Sequence, residues 1–341
     1  MKMLKPLIIQ IILFLVLNLA KAQDPNFSQF FSSPLNINPA LTANINADWR
    51  LISNLRDQWI GPASPYITGT LSFDSKLIQD KMYNVSENNY MGIGGMLMFD
   101  HSMNGIVKCN YGSLNLSYSI KLTETDYYTE RLGIGFGTTY CNRRIDYNRV
   151  DFEHQFNGVG FNRNLPTGES ALSNMKPYFS TNTGIVYTAT TEKTNFDLGV
   201  AVFHFNKPRQ TFLKDENEFL PMRSVVHANF EAVINDQVVF NSNGIYQFQK
   251  KAQYFSIGGA LGYYLETGED ETLVTGGLWY WSKNAIVPYI GVSYKKFQIG
   301  ISYDMTISKL DQAARKPSTW ELSMILRGER RKSGNIPCPW K

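Results

Sequence analysis

The sequence predicts an all-β fold: a transmembrane antiparallel outer-membrane β-barrel of about 14 strands, with a short N-terminal periplasmic or plug segment and a basic C-terminal tail. Three observations predict it: alternation of residue character with period two, a secretory leader, and no later apolar run long enough for a membrane-spanning helix. Arg131–Tyr140 places Leu132, Ile134 and Phe136 on one face and Gly133, Gly135 and Gly137 on the other. Phe297–Asp304 sets Phe297, Ile299, Ile301 and Tyr303 against Gln298, Gly300, Ser302 and Asp304. Such alternation marks strands whose two faces meet different surroundings. A two-layer sandwich also alternates, so the pattern alone leaves soluble and membrane β-structure open.

The leader supplies the context. Lys2 and Lys5 precede the apolar stretch Leu7–Leu17, and Ala20-Lys21-Ala22 is a small-x-small site that predicts cleavage between Ala22 and Gln23. Beyond it, no apolar run approaches the roughly 20 residues a spanning helix requires. A chain that crosses lipid without helices must close its sheet, because hydrocarbon tolerates no unpaired backbone polar group. The domain plan is a signal peptide over 1–22, an N-terminal periplasmic segment over 23–47, a barrel over 48–326 and a basic periplasmic tail over 327–341. Aromatic residues make up 13% of the chain, which suits interfacial girdles. Tyr127, Tyr128, Tyr263, Tyr264, Trp279, Tyr280 and Trp281 near strand ends are the girdle candidates, ordinary core packing being the other reading.

The formal charge of +4 is carried by the two ends of the chain. The 33 basic side chains fall to 30 when Lys2, Lys5 and Lys21 leave with the leader, against 29 acidic ones. The tail holds Arg327, Arg330, Arg331, Lys332 and Lys341 with one acid, Glu329, so the body is slightly acidic. Nothing in this balance supports nucleic-acid binding, and no nucleic-acid partner is expected. Cys109, Cys141 and Cys338 form no disulfide framework, and His101, His154, His204 and His227 show no metal-ligand spacing. No metal, cofactor or catalytic residue is expected. His154 beside Asp151 and Glu153 is the nearest approach to a hydrolytic grouping.

Fourteen strands are expected to start near Asp48, Tyr66, Tyr90, Lys108, Glu130, Lys176, Asn195, Ser224, Gln237, Gln253, Leu273, Ala285, Phe297 and Thr319. With a periplasmic N-terminus, connections after odd strands face outward and should be the long ones. The longest, Arg143–Met175, Lys207–Arg223 and Met305–Ser318, all follow odd strands. The inward connection Leu77–Asn89 is longer than this rule expects. Period two then points Leu132, Ile134, Phe136, Leu198, Ile301 and Met324 to lipid, and Gly133, Asn115, Ser117, Gln298 and Glu321 inward. A hairpin turning near Thr125 would set opposed residues at numbers summing to about 250. That register brings Cys109 opposite Cys141, with Cα atoms within about 5.5 Å.

Ahead of the barrel, Asp24-Pro25 reads as a helix start that would put Phe27, Phe30 and Phe31 on one face. That face either packs under or inside the barrel or contacts a periplasmic partner.

Here the chain also resembles a known family. Gln-Asp-Pro-Asn-Phe-Ser-Gln-Phe-Phe at 23–31, Pro-Leu-Asn-Ile-Asn-Pro-Ala-Leu-Thr at 34–42 and Asn-Leu-Arg-Asp-Gln-Trp at 54–59 resemble the opening of the PorP/SprF family of the type IX secretion and gliding motility machinery. Lys-Pro-Tyr at 176–178, Val-Phe-His-Phe-Asn-Lys-Pro at 202–208, Ser-Tyr-Asp at 302–304, Ser-Lys-Leu at 308–310, Glu-Leu-Ser at 321–323 and Cys338-Pro339 agree. The Phe30-Phe31 pair, the long 143–175 loop and the Pro-Trp-Lys ending depart from the pattern.

The resemblance implies an outer-membrane barrel that assists secretion or surface anchoring of a cognate surface protein, often an adhesin, or links it to periplasmic motor components. It brings no catalytic residues. Arg56, Asp57 and Trp59 match the family pattern at the outer end of the first strand, where Arg56 and Asp57 either form a local ion pair or meet a partner. The basic tail, with Arg330, Arg331 and Lys332, is either a soluble end or a docking site. The alternative functions are an outer-membrane channel or transporter for small molecules, and a membrane-embedded hydrolase.

Overall fold

The computed structural model describes residues 24–60, 64–77, 89–169, 175–210, 219–266, 271–282, 284–308 and 317–328. The leader with its Ala22–Gln23 site, and Arg330, Arg331, Lys332 and Cys338, lie outside the described residues. Every strand of the sheet pairs antiparallel with its neighbour in sequence. The strands are β1 (Trp49–Ile60), β2 (Tyr66–Lys76), β3 (Tyr90–Ser102), β4 (Val107–Glu124), β5 (Tyr128–Ile145), β6 (Tyr178–Thr191), β7 (Thr194–Phe203) and β8 (Arg223–Asn235). They continue as β9 (Val238–Gln249), β10 (Ala252–Glu266), β11 (Thr272–Trp281), β12 (Ala285–Tyr294), β13 (Phe297–Tyr303) and β14 (Ser318–Gly328). β13 breaks at Asp304 and resumes in unchanged register as Met305–Thr306 against β12.

β1 pairs with β14 from Trp49 opposite Gly328 to Asp57 opposite Trp320, which closes fourteen strands into a barrel. Closure satisfies the edge groups that lipid could not. Each expected strand start lies within two residues of the observed one.

The faces follow period two. Ile134, Phe136, Leu198, Ile301 and Met324 are exposed on the outer wall, while Gly133, Asn115, Ser117 and Glu321 are buried inside. No helix among the described residues is long and apolar enough to cross a membrane; the strands do that work.

Two expectations change. The β4–β5 hairpin is centred one residue later than expected, with Thr125 N–H bonded to Tyr128 C=O at 2.9 Å and Leu122 bulged between Lys121 and Thr123. Cys109 therefore opposes Arg143, and Cys141 opposes Tyr111. The thiols are diagonal neighbours, a relation that spaces Cα atoms by about 7–8 Å in such a ladder. Both face the lumen and both are free. Second, Trp279 and Trp281 are no girdle residues. They are 2% and 9% exposed and point into the lumen, whereas Tyr127, Tyr128, Tyr263 and Tyr280 do face outward.

Candidate functional site: the plugged lumen

What fills the barrel is the N-terminal segment, residues 24–48. Two prolines set its shape: Pro34 and Pro39 each open a 3-10 turn, Pro34–Asn36 and Pro39–Leu41, after a first turn at Phe30–Ser32. Proline fixes φ and withholds an N–H, so it starts a turn readily and breaks a longer helix. The single helical face expected for Phe27, Phe30 and Phe31 does not form. Phe27 and Phe30 are nevertheless buried, and Phe31 stacks on Trp279 at 4.8 Å and meets Tyr289 edge-on at 5.5 Å. Phe30 and Ile37 share one apolar cluster with Phe203, Val225, Ile245, Trp279, Val287 and Tyr289 from the wall. The three phenylalanines thus pack inside the barrel.

The segment is tied to the wall in tiers from one end to the other. At the end that carries the long connections, Asp24 Oδ2 lies 2.7 Å from His204 Nε2 and 3.2 Å from Arg223 Nε. Arg223 also donates to Asn36 C=O at 3.0 Å and lies over the Phe203 ring. Burial alone would raise the Asp24 carboxyl, but His204 and Arg223 beside it hold it well below the usual carboxylate range.

The next tier is built on Arg56. Its guanidinium is 1% exposed and bonds Asp304 Oδ2 at 2.8 Å, Ser28 Oγ at 2.6 Å and Glu321 Oε1. Glu321 in turn accepts from the backbone N–H groups of Ser28 and Gln29 at 2.6 and 2.7 Å. One cation and two carboxylates thereby clamp the plug backbone to β1, β13 and β14. Arg56 directly opposes Glu321 across the β1–β14 seam, while Asp57 opposes Trp320. The expected Arg56–Asp57 pair is absent because adjacent strand residues point to opposite faces.

Midway down, the Asn38 side chain caps the third turn by accepting from Ala40 N–H at 2.8 Å, and its amide donates to Ile185 C=O at 3.1 Å. At the other end Ala43 N–H donates to Asp74, which Arg50 also holds at 2.8 Å. Ser117 and Lys76 donate to Thr42 C=O and Ile45 C=O at 2.7 and 2.6 Å.

The small inward face of the central strands now has a cause. A Cβ on Gly135 would sit 2.1 Å from Ala40 N, and one on Gly184 would sit 2.0 Å from Asn38 Oδ1. The alternating glycines clear space for the plug backbone.

Because short turns face the periplasm and long loops face outward in such barrels, the plug enters β1 from the inner end and Asp24 stands near the outer mouth. The motifs that carry the resemblance converge here: Ser28 and Gln29, Asn38, Arg56, His204, Asp304 and Glu321 come from six separate stretches of sequence. The sequence marks Arg56 as a motif residue and puts Asp304 and Glu321 on inward faces, but it does not pair the three; that pairing needs the seam between first and last strands. Trp59 lies apart from this network at the outer rim, with a left-handed φ of 65°. No cluster of metal-ligating side chains occurs among the described residues.

Solved structures similar to this chain include the Pseudomonas putida toluene transporter TodX, at 10% identity and TM-score 0.44 over 86% of this chain and 93% of that one. CdiB from Acinetobacter baumannii is similar at 6% identity and TM-score 0.44, over 82% and 60% of the two chains. A Pseudomonas aeruginosa FadL homologue is similar at 11% identity and TM-score 0.41, over 85% and 92%. No curated protein matches the chain significantly. The family model described as type IX secretion system membrane protein PorP/SprF matches residues 19–326. With a closed outer-membrane barrel, a lumen filled by its own N-terminal motifs and that match over nearly its whole length, the chain belongs to the PorP/SprF family of type IX secretion system membrane proteins.

Proposed function

We propose that the protein is a non-enzymatic outer-membrane component of type IX secretion that assists export or surface anchoring of a cognate surface protein, such as an adhesin, and links it to periplasmic machinery. The observation that carries this reading is a lumen occupied by a plug bonded to its wall at several levels, beneath a long outer loop. A filled barrel is a poor conduit for small molecules but a rigid mount. The loop after β5 is built for display. Gln155 is 4% exposed and donates to Leu165 C=O at 3.1 Å, and Arg163 bridges Asp151 at 2.6 Å. That frame holds Phe156 against Phe161 and leaves Val159 at the tip 96% exposed. Exposed apolar side chains on an ordered loop favour a protein partner. The signal peptide over 1–22 and the basic tail after β14 complete the proposed topology, with the tail and its Arg330, Arg331 and Lys332 offered to periplasmic components.

The test is deletion of residues 150–170 in the native host. Barrel folding should persist while surface display of the cognate protein falls. Normal display, or a wild-type barrel that conducts ions freely in planar bilayers, would overturn this reading in favour of another surface or of a channel.

A further inference from the structure

At the outer mouth, beside the plug and separate from its bonding network, a cleft of about 630 Å³ opens between three elements. It is lined by Trp59 of β1 and Tyr66 of β2, by Met103 and Ile106 of the β3–β4 turn, and by Arg149 and Arg163 of the β5–β6 loop. Its volume falls within the range of small-ligand pockets.

Three features set the cleft apart from an accidental gap. The indole and phenol are fixed edge-to-face at 5.4 Å. Trp59 adopts φ 65° where β1 slips register between Asp57 and Ile60, and a bulky residue rarely takes that conformation. Met103 takes φ 54° at the first central position of a tight turn closed by Gly105 N–H on Ser102 C=O, a position that favours Asn, Asp or Gly. Both strained backbones aim an apolar side chain at the same cleft. Strain of this kind collects at ligand clamps.

Charge selects the occupant. Arg163 is held in a two-point bond by Asp151, but Arg149 pairs with no acid among the described residues. A guanidinium that lines the same cleft as two aromatic rings, and has no acid partner among the described residues, suits a carboxylate flanked by an apolar group. Tyr66 shares the inward parity of Thr68 and Thr70, so the cleft faces the mouth rather than the lipid. We propose that this cleft binds an extended, acidic and partly apolar peptide segment of the surface protein, with Arg149 on a carboxylate and Trp59–Tyr66 on the neighbouring apolar side chain. This rests on the secretion reading above and names where and by what chemistry the partner is held.

The test uses the full-length barrel in detergent and two fluorescent probes, acetyl-Phe-Glu-Phe-amide and its Gln counterpart. The acidic probe should bind roughly tenfold more tightly than the neutral one. R149Q should abolish that preference and leave the neutral probe within about twofold. W59A should weaken both probes, and Y66A provides the same measurement if W59A fails to fold. Lys295→Gln, at the opposite end of the barrel, should change nothing. Equal binding of the two probes, a preference that survives R149Q, or displacement of the probe by lipopolysaccharide with R149Q affecting only the lipid, overturns the proposal. Loss of display on deleting 150–170 with no probe preference would leave the secretion reading standing and sink the cleft alone. Probe preference with normal display would leave the cleft's chemistry standing but remove the surface protein as its occupant, and so overturn the proposal as stated.

Discussion

Replacing Arg56 by methionine keeps most of the side-chain volume and removes the cation that joins plug to wall. Asp304 and Glu321 would remain, their side chains 3% and 2% exposed and without a counter-charge. Breaking a buried pair by removing one partner costs about 3–5 kcal/mol, because an uncompensated charge stays in a low dielectric. Glu321 would still accept from Ser28 and Gln29 N–H, so the loss should stay toward the lower end, roughly 3 kcal/mol or a hundredfold in plug seating. The penalty belongs to the stranded carboxylates, which gives an internal control: the triple variant R56M/D304N/E321Q should recover much of it. The assay is protease cleavage within 24–48 on the purified barrel, scored beside ion conductance in planar bilayers. R56M should raise both and the triple variant should reverse most of the rise. If R56M stays as closed and resistant as the wild type, or the triple variant is worse than R56M, the clamp is not what seats the plug.

Three further outcomes are expected. G135V should expel the plug from the central strands, since its Cβ would meet backbone atoms of Pro39 and Ala40 that cannot swing aside; a conductance trace as quiet as wild type would refute the close-approach argument. I134R places charge on a lipid-facing position that is 48% exposed in the isolated barrel and should cost about 2–4 kcal/mol near the midplane; wild-type folded yield in urea–lipid refolding would contradict the face assignment. For the outer latch the sign is set by the lowered pKa of the Asp24 carboxyl. Its contribution is fully present above the ordinary carboxylate pKa of about 4 and is lost as pH falls through the lower folded value. The excess protease access of D24N over wild type should therefore hold steady from neutral to mildly acidic pH and vanish only in strong acid; a difference that collapses near pH 6 would point to another group.

The sequence by itself determined the class and the strand plan. Period-two runs such as Arg131–Tyr140 are local, and each needs only its own residues to declare which face is apolar. The same logic located the strand starts and marked the β5–β6 connection as the long one. Register was less legible: one bulged residue, Leu122, and a turn centred one position later moved Cys109 from Cys141 to Arg143. What only the tertiary structure decided was the interior. The glycine faces read as a plain lumen lining until the plug backbone proved to fill the space against Gly135 and Gly184. Trp279 read as a girdle residue until Phe31 proved to stack on it. Arg56 sits next to Asp57 in sequence, yet its partners lie 248 and 265 residues away. Closure of the first strand on the last creates that neighbourhood, and a contact made by ring closure leaves no local periodicity to read.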